Sequence, residues 1–184
     1  MQYTVIIRKI YLMLLNEIIS VITEKKRISS FVLPTHKGKV ILIKRTKDGT
    51  WGLPGGRVDK GEDAEEAAKR ETEEEAGVDV DKVKKVGEYA VPRRRGLKRR
   101  LRKGKSPRTK TVHIFGKKLK GDVGKKINLN PEHSKAGKFK KSDLRKVARG
   151  EKTKIMKYDS KGKSLKKITV RLHKPIMDHF QIKK

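Results

Sequence analysis

The chain has no cysteine, so disulfides, thiolate metal sites and cysteine nucleophiles are all excluded. It is poor in aromatics, at 5% of its residues, which argues against a surface built to stack bases. Acidic residues are scarce too: 21 of them stand against 51 lysines and arginines, a formal net charge of +30. Such an imbalance says little about fold. It points to polyanionic partners such as RNA or polyphosphates, drawn in by counterion release and long-range steering. No apolar run is long enough to span a bilayer comfortably; the best, Ile10 to Ile22, is broken by Asn16 and Glu17. No small-residue cleavage site follows it, so a signal peptide fits poorly and a cytoplasmic location is expected.

What is present is unevenly spread. The stretch from Asp59 to Asp81 holds 11 of the acidic residues and only three basic ones, Lys60, Lys69 and Arg70. An acidic island in so basic a chain reads as a cation site facing an anionic substrate. Asp63 with Glu66 three residues on forms a capping box, and Gly77 is a stop signal, so a helix is expected over residues 64–76. Glu71, Glu74 and Glu75 then stand at i, i+3 and i+4, where like charges disfavour a helix by roughly 0.2–0.5 kcal/mol per pair. A bound divalent cation would turn that repulsion into ligation, and hard oxygen donors favour Mg²⁺ or Mn²⁺. The loop Pro54-Gly55-Gly56 just before it suits close approach to a ligand.

Strands are expected at 28–33 and 39–45 around a hairpin at His36-Lys37-Gly38, and again at 83–91 and 111–119. Short helices are expected at 142–149 and 175–182. Residues 1–25 read as a helical appendage that packs on the parent domain or on a second copy in a homodimer. Residues 150–167, rich in lysine, glycine and serine, read as a mobile connection within a basic C-terminal extension, 151–184. Between the last two expected strands lies a solvated basic block, 92–110, with Arg93, Arg94, Arg95, Arg108 and Lys110 and no acid at all.

The spacing Gly56, five residues, Glu62, seven residues, Arg70-Glu71-Thr72-Glu73-Glu74-Glu75-Ala76-Gly77-Val78 resembles the Nudix box, and the preceding Trp51-Gly52-Leu53-Pro54-Gly55-Gly56 is similar to the segment that leads into it. The soft departure is Thr72, where an aliphatic residue is usual. The resemblance implies an α/β class chain with an α/β/α sandwich and mixed sheet over residues 26–150, and hydrolysis of a nucleoside diphosphate linked to another group. It implies that Glu71, Glu74 and Glu75 ligate the metal with the Gly55 carbonyl, that Arg70 orients Glu71, and that Glu62 supports the loop or helix. One glutamate, such as Glu74, would assist as base. Relatives carry a further acid outside the box; here Glu132 is the candidate, against an ordinary surface charge. The five histidines are given structural or surface roles.

Shorter pieces (Phe139-Lys140, Asp143, Lys146-Val147, His173-Lys174-Pro175 and Phe180) resemble diphosphoinositol polyphosphate phosphohydrolases, which would make Lys110 and Lys174 phosphate contacts. Three expectations thus stay open. They are an enzyme on small nucleotides or other polyphosphates, an RNA 5′-end or cap hydrolase recruited by the basic block, and a non-catalytic RNA- or ribosome-binding protein.

Overall fold

The computed structural model describes residues 11, 14, 15, 27–92, 97–104, 108–121, 127–151, 154–158 and 163–182. Its first hairpin joins β1 (Arg27–His36) to β2 (Lys39–Arg45). Lys37 and Gly38, the two turn residues, both have positive φ, 46° and 72°, as a tight two-residue hairpin requires. β3 (Trp51–Gly52) pairs with β2, and β4 (Gly55–Arg57) pairs with β1. Helix α1 (Ala64–Ala76) follows, then β5 (Lys84–Pro92), α2 (Leu97–Arg102), β6 (Thr109–Lys118), β7 (His133–Lys140), α3 (Lys141–Ala148), β8 (Lys154–Tyr158), β9 (Ser164–Thr169) and α4 (Lys174–Ile182).

The nine strands among the described residues belong to one sheet, ordered β5-β6-β1-β2-β7-β8-β9, with β3 and β4 attached to β2 and β1. The β1–β6 pairing is parallel and the others are antiparallel, so the sheet is mixed. β1 sits between covered faces, and its middle, Phe31 to Leu33, is buried without alternation. On one face Val32 and Phe115 pack with Ala68, Ala76, Val78 and Val80, seating α1. On the other, Phe31, Leu42, Trp51, Ile114 and Phe139 pack with Leu144 of α3 and Ile176 and Phe180 of α4. The result is the expected α/β/α sandwich.

Two stretches differ from expectation. Residues 150–167 are not simply a connection: they supply β8 and β9, which extend the sheet, and Ile155 joins the larger core. Their lysines mask the alternation, because only one residue in two of a half-covered strand need be apolar. The basic block likewise carries the helix α2, whose Lys98, Arg99 and Leu101 are exposed. The chain after β9 returns beside β3, with Trp51 N donating to Arg171 O and His173 N to Trp51 O, both at 2.7 Å. Of the N-terminal segment only Tyr11, Leu14 and Leu15 are described, helical and exposed; the expected homodimer contact falls mainly on residues outside the description. Among the described residues no helix is long and apolar enough to cross a membrane.

Helix α1 begins as its sequence dictates. The Asp63 carboxylate accepts from the amides of Glu65 and Glu66, and the Glu66 side chain accepts from the Asp63 amide. Gly77 ends it in the left-handed region, φ 61°, its amide donating to Glu73 O. Replacing Asp63 with alanine orphans two helix-end donors and should lower stability by about 1 kcal/mol. Chemical denaturation checks this, and an unchanged midpoint would show that the cap is not engaged.

Candidate active site

The small residues on α1 let it lie close on the sheet. Ala67 and Ala68 are fully buried, and Thr72, also buried, satisfies its hydroxyl by donating to the Ala68 carbonyl at 2.6 Å. That internal bond explains why threonine is tolerated where an aliphatic side chain would fit. The same face then delivers Glu71 and Glu75 to the glycine loop. Glu75, 8% exposed, accepts a hydrogen bond from the Gly55 amide, Oε2 to N 2.8 Å. Glu71 lies against Gly56: a Cβ there would stand 2.3 Å from Glu71 Oε1. Gly55 itself, at φ 137°, has no room for a side chain, since its Cβ would fall 2.3 Å from Ser30 O.

Burial raises both carboxyl pKa values. For Glu75 the main cause is removal from water, with the Gly55 hydrogen bond opposing it and the charges of Glu71 and Glu132 adding to it; its pKa is pushed up to about 7. Glu71 is also pushed up, mainly by burial, while Arg70 opposes the shift. A half-buried and a buried carboxyl whose charges oppose each other fit a site where a cation is favoured.

Arg70 has more partners than the sequence suggested. Its strongest pairing is with Glu62, bidentate at 2.9 and 3.1 Å, and this holds the Glu62 carboxyl below the usual range. It reaches Glu71 Oε1 and Glu74 Oε2 at 3.3 Å each, and its Nη2 also donates to Arg57 O. The guanidinium thus clamps the loop to the helix and touches Glu71 from the side. Glu74 is exposed and turned toward Arg70, so Glu71 stands between two other box glutamates: its charge acts on buried Glu75, and the Glu74 charge acts on it. Among the described residues no three His, Asp or Glu side chains stand close enough to hold a metal ion. The Glu71–Glu75 pair nonetheless fits a hard dication in donor type, burial and charge.

Two groups at the site were not expected from the sequence. The segment from Ile127 docks on the end of α1, with Asn128 N donating to Ala76 O and Asn130 N to Glu75 O. It brings buried His133 to 3.8 Å from Glu75, Nε2 to Oε1. His133 Nδ1 faces Asn130 Oδ1 at 3.0 Å, which assigns the ring proton to Nδ1. Burial and the Arg45 charge lower its pKa, so it is neutral at pH 7. Arg45, paired with His133 across β2 and β7, is the second group; its charge opposes the rise at Glu75. Among the described residues its buried Nε has no hydrogen-bond partner. The only hint in the sequence was the closeness of His133 to Glu132, which is exposed but near enough to act on Glu75.

The basic candidates lie elsewhere or beyond the description. Arg93, Arg94 and Arg95 are outside the described residues. Arg108 is exposed just before β6, and Lys110 pairs with Arg27 at the start of β1. Gly55 is opposite Phe31, itself opposite Ile114, so Lys110 is about 13 Å away along β6. Lys174 opens α4, and its side chain is not described.

Comparison with known proteins identifies the family and the fold. The family model described as "NUDIX domain" matches residues 25–158, well over half of the chain. A Bacillus subtilis (strain 168) protein with the provisional name 8-oxo-dGTP diphosphatase is 46% identical over 65 residues, 35% of this chain and 44% of that protein. The match thus spans less than half of that relative. Among solved structures, a MutT NUDIX hydrolase from Burkholderia pseudomallei superposes with a TM-score of 0.58 at 19% identity, covering 88% of this chain and all of that one. A MutT protein from Methanosarcina mazei Go1 gives 0.51 at 22%, covering 66% and 82%. At these identities the two structures speak for the fold.

Glu75 makes the metal-free protein sensitive to pH. Its folded pKa lies above the ordinary 4.5, so the folded chain holds a proton that the unfolded chain releases. Stability should therefore fall as pH rises from about 4.5 to 7 and level off above that. In chelator, Glu75→Gln should flatten this part of the profile; an unchanged slope would remove Glu75 as its source.

Proposed function

The chain belongs to the Nudix hydrolase family, and we propose that it is a divalent-cation-dependent pyrophosphohydrolase that splits a phosphoanhydride bond in a nucleoside diphosphate-linked substrate. The observation that carries this reading is the Glu71–Glu75 pair, with Glu71 half-buried against Gly56, Glu75 buried against Gly55, and both carboxyl pKa values raised.

Glu71 and Glu75 are the residues that would hold Mg²⁺ or Mn²⁺, with Glu74 close by on the same helix. When bound, the cation supplies charge neutralisation of the diphosphate and activation of water. Arg70 fixes the helix to the loop through Glu62, so the glutamates meet the substrate already aligned. Gly55 and Gly56 keep the approach clear of side chains. A water attacking phosphorus gives its proton to a carboxylate. Glu74, exposed and paired with Arg70, is our assignment for that role. His133, neutral beside Glu75, holds the back of the site without adding charge. The name of the Bacillus relative favours nucleoside triphosphates as the first substrates to try. The exposed cations of α2, with the overall +30 charge, favour RNA 5′ ends as the second class.

Phosphate release should be measured with Mg²⁺ across nucleoside triphosphates including oxidised guanine, ADP-ribose, dinucleoside polyphosphates, 5′-triphosphorylated and capped RNA, and diphosphoinositol polyphosphates. At least one class should turn over, and Glu71→Gln should lower kcat about 100-fold or more in a folded chain. A wild type as inert as the variant on every member would favour a binding protein instead. Gly56→Ala pushes a methyl into the Glu71 carboxylate and should cost about 100-fold in kcat/KM; near-normal activity would show that Glu71 is not held there for chemistry. Added Mg²⁺ should also raise Tm more at pH 8 than at pH 5, where protons compete for Glu75. An increment independent of pH would place the cation elsewhere.

A further inference from the structure

The outer half of the sheet carries a feature that hydrolysis at α1 does not use. Strands β2, β7, β8 and β9 contain ten lysines and arginines and no acidic residue. Register sorts them onto two faces. Lys44 lies opposite both Trp51 and Lys135, and Lys157 lies opposite Lys166, on the side where Phe139 and Ile155 enter the core. Four lysines from four neighbouring strands thus share one face, away from α1, spread over about 14 Å across the strands and stepped along them, since Lys138 opposite Tyr158 sets the Lys157 backbone roughly 13 Å along β7 from Lys135.

The band is shaped rather than scattered. Gly137 leaves open the space its side chain would fill, and the Lys157 stem lies over it; a Cβ there would stand 3.0 Å from Lys157 Cε. This carries the Lys157 ammonium to 5.7 Å from the centre of the Trp51 ring. Burial, with the charges of Lys135 and Lys166, lowers its pKa. Such a convergence of like charges is unfavourable until an anion arrives.

We propose that this face, Lys44, Lys135, Lys157 and Lys166, is a docking surface for the phosphate backbone of a nucleic-acid strand. The charge is complementary and the width accommodates several successive phosphates. Trp51, its aromatic neighbour, is only 3% exposed and offers no ring for stacking, so contact is with backbone and not with bases. Of the exposed large apolar residues described, the one on these strands, Leu165, points to the opposite face by alternation, which disfavours a membrane surface. The inference does not rest on turnover, since binding is read in chelator where hydrolysis is silent.

The full chain should be titrated into a short fluorescein-labelled single-stranded RNA in EDTA, with anisotropy read between about 50 and 200 mM salt. The variant Lys44→Gln/Lys135→Gln/Lys157→Gln/Lys166→Gln should bind about 10-fold or more weakly, and its log–log salt slope should fall by about 3, at ~0.7 for each of four phosphates. A control losing equal charge on the other edge, Lys82→Gln/Lys84→Gln/Lys118→Gln/Lys120→Gln, should bind within about 3-fold of wild type. Lys135→Gln/Lys166→Gln, two exposed positions, should give about half the change in slope if the quadruple variant folds poorly. Equal losses in band and control variants would reduce the effect to net charge and overturn the proposal. So would wild-type binding by the band variants, or a band-dependent preference for phosphatidylglycerol vesicles over RNA.

Discussion

The hydrogen bond from the Gly55 amide to the Glu75 carboxylate is the contact on which the site depends. It joins the start of β4 to the last turn of α1, and it does so where burial would otherwise leave Oε2 of that carboxylate without a hydrogen bond. Around it the other constraints fall into place. Gly55 must lack a side chain because β1 lies against it, and Gly56 must lack one because Glu71 does. Alanines at 67 and 68 bring the helix close enough for those contacts to form. The sequence from Trp51 to Gly77 is therefore one device: a glycine loop and a helix end clamped together by Arg70 and Glu62.

Electrostatics gives the device its chemistry. Glu62 is held ionised by its bidentate pairing with Arg70, whereas loss of water around Glu71 and Glu75 makes them resist ionisation. Neighbouring carboxyls on one short segment are thus given different charge states by their surroundings, one kept ionised by an arginine and two, proposed to hold the cation, whose ionisation burial resists. His133 and Arg45 complete the enclosure from β7 and β2, the first neutral and the second a charge that moderates Glu75.

Much of this could be read from local sequence. The capping box, the Gly77 stop and the glutamate spacing are short-range signals, and the helix formed within the expected bounds. The β1–β2 hairpin was equally local. What escaped was long-range. Nothing near Glu75 in sequence announces His133, because the contact arises from a segment docking back on the helix end. Arg70 was expected to serve Glu71, yet its guanidinium fork matches Glu62 better, a matter of side-chain direction and not of spacing. β8 and β9 were hidden by composition, since lysines on solvated positions look like a linker until Ile155 and Ile168 are seen to pair. Glu74, expected among the metal ligands, has its side chain turned toward Arg70 and takes the base role in the proposal.

The most direct test of the account is a crystal of the full chain grown with Mn²⁺ and measured near the manganese absorption edge. The account predicts an anomalous peak bound by the carboxylates of Glu71 and Glu75 beside the Gly55–Gly56 loop, lost in Glu75→Gln. A well-ordered wild-type map with both carboxylates visible and no peak between them would contradict it.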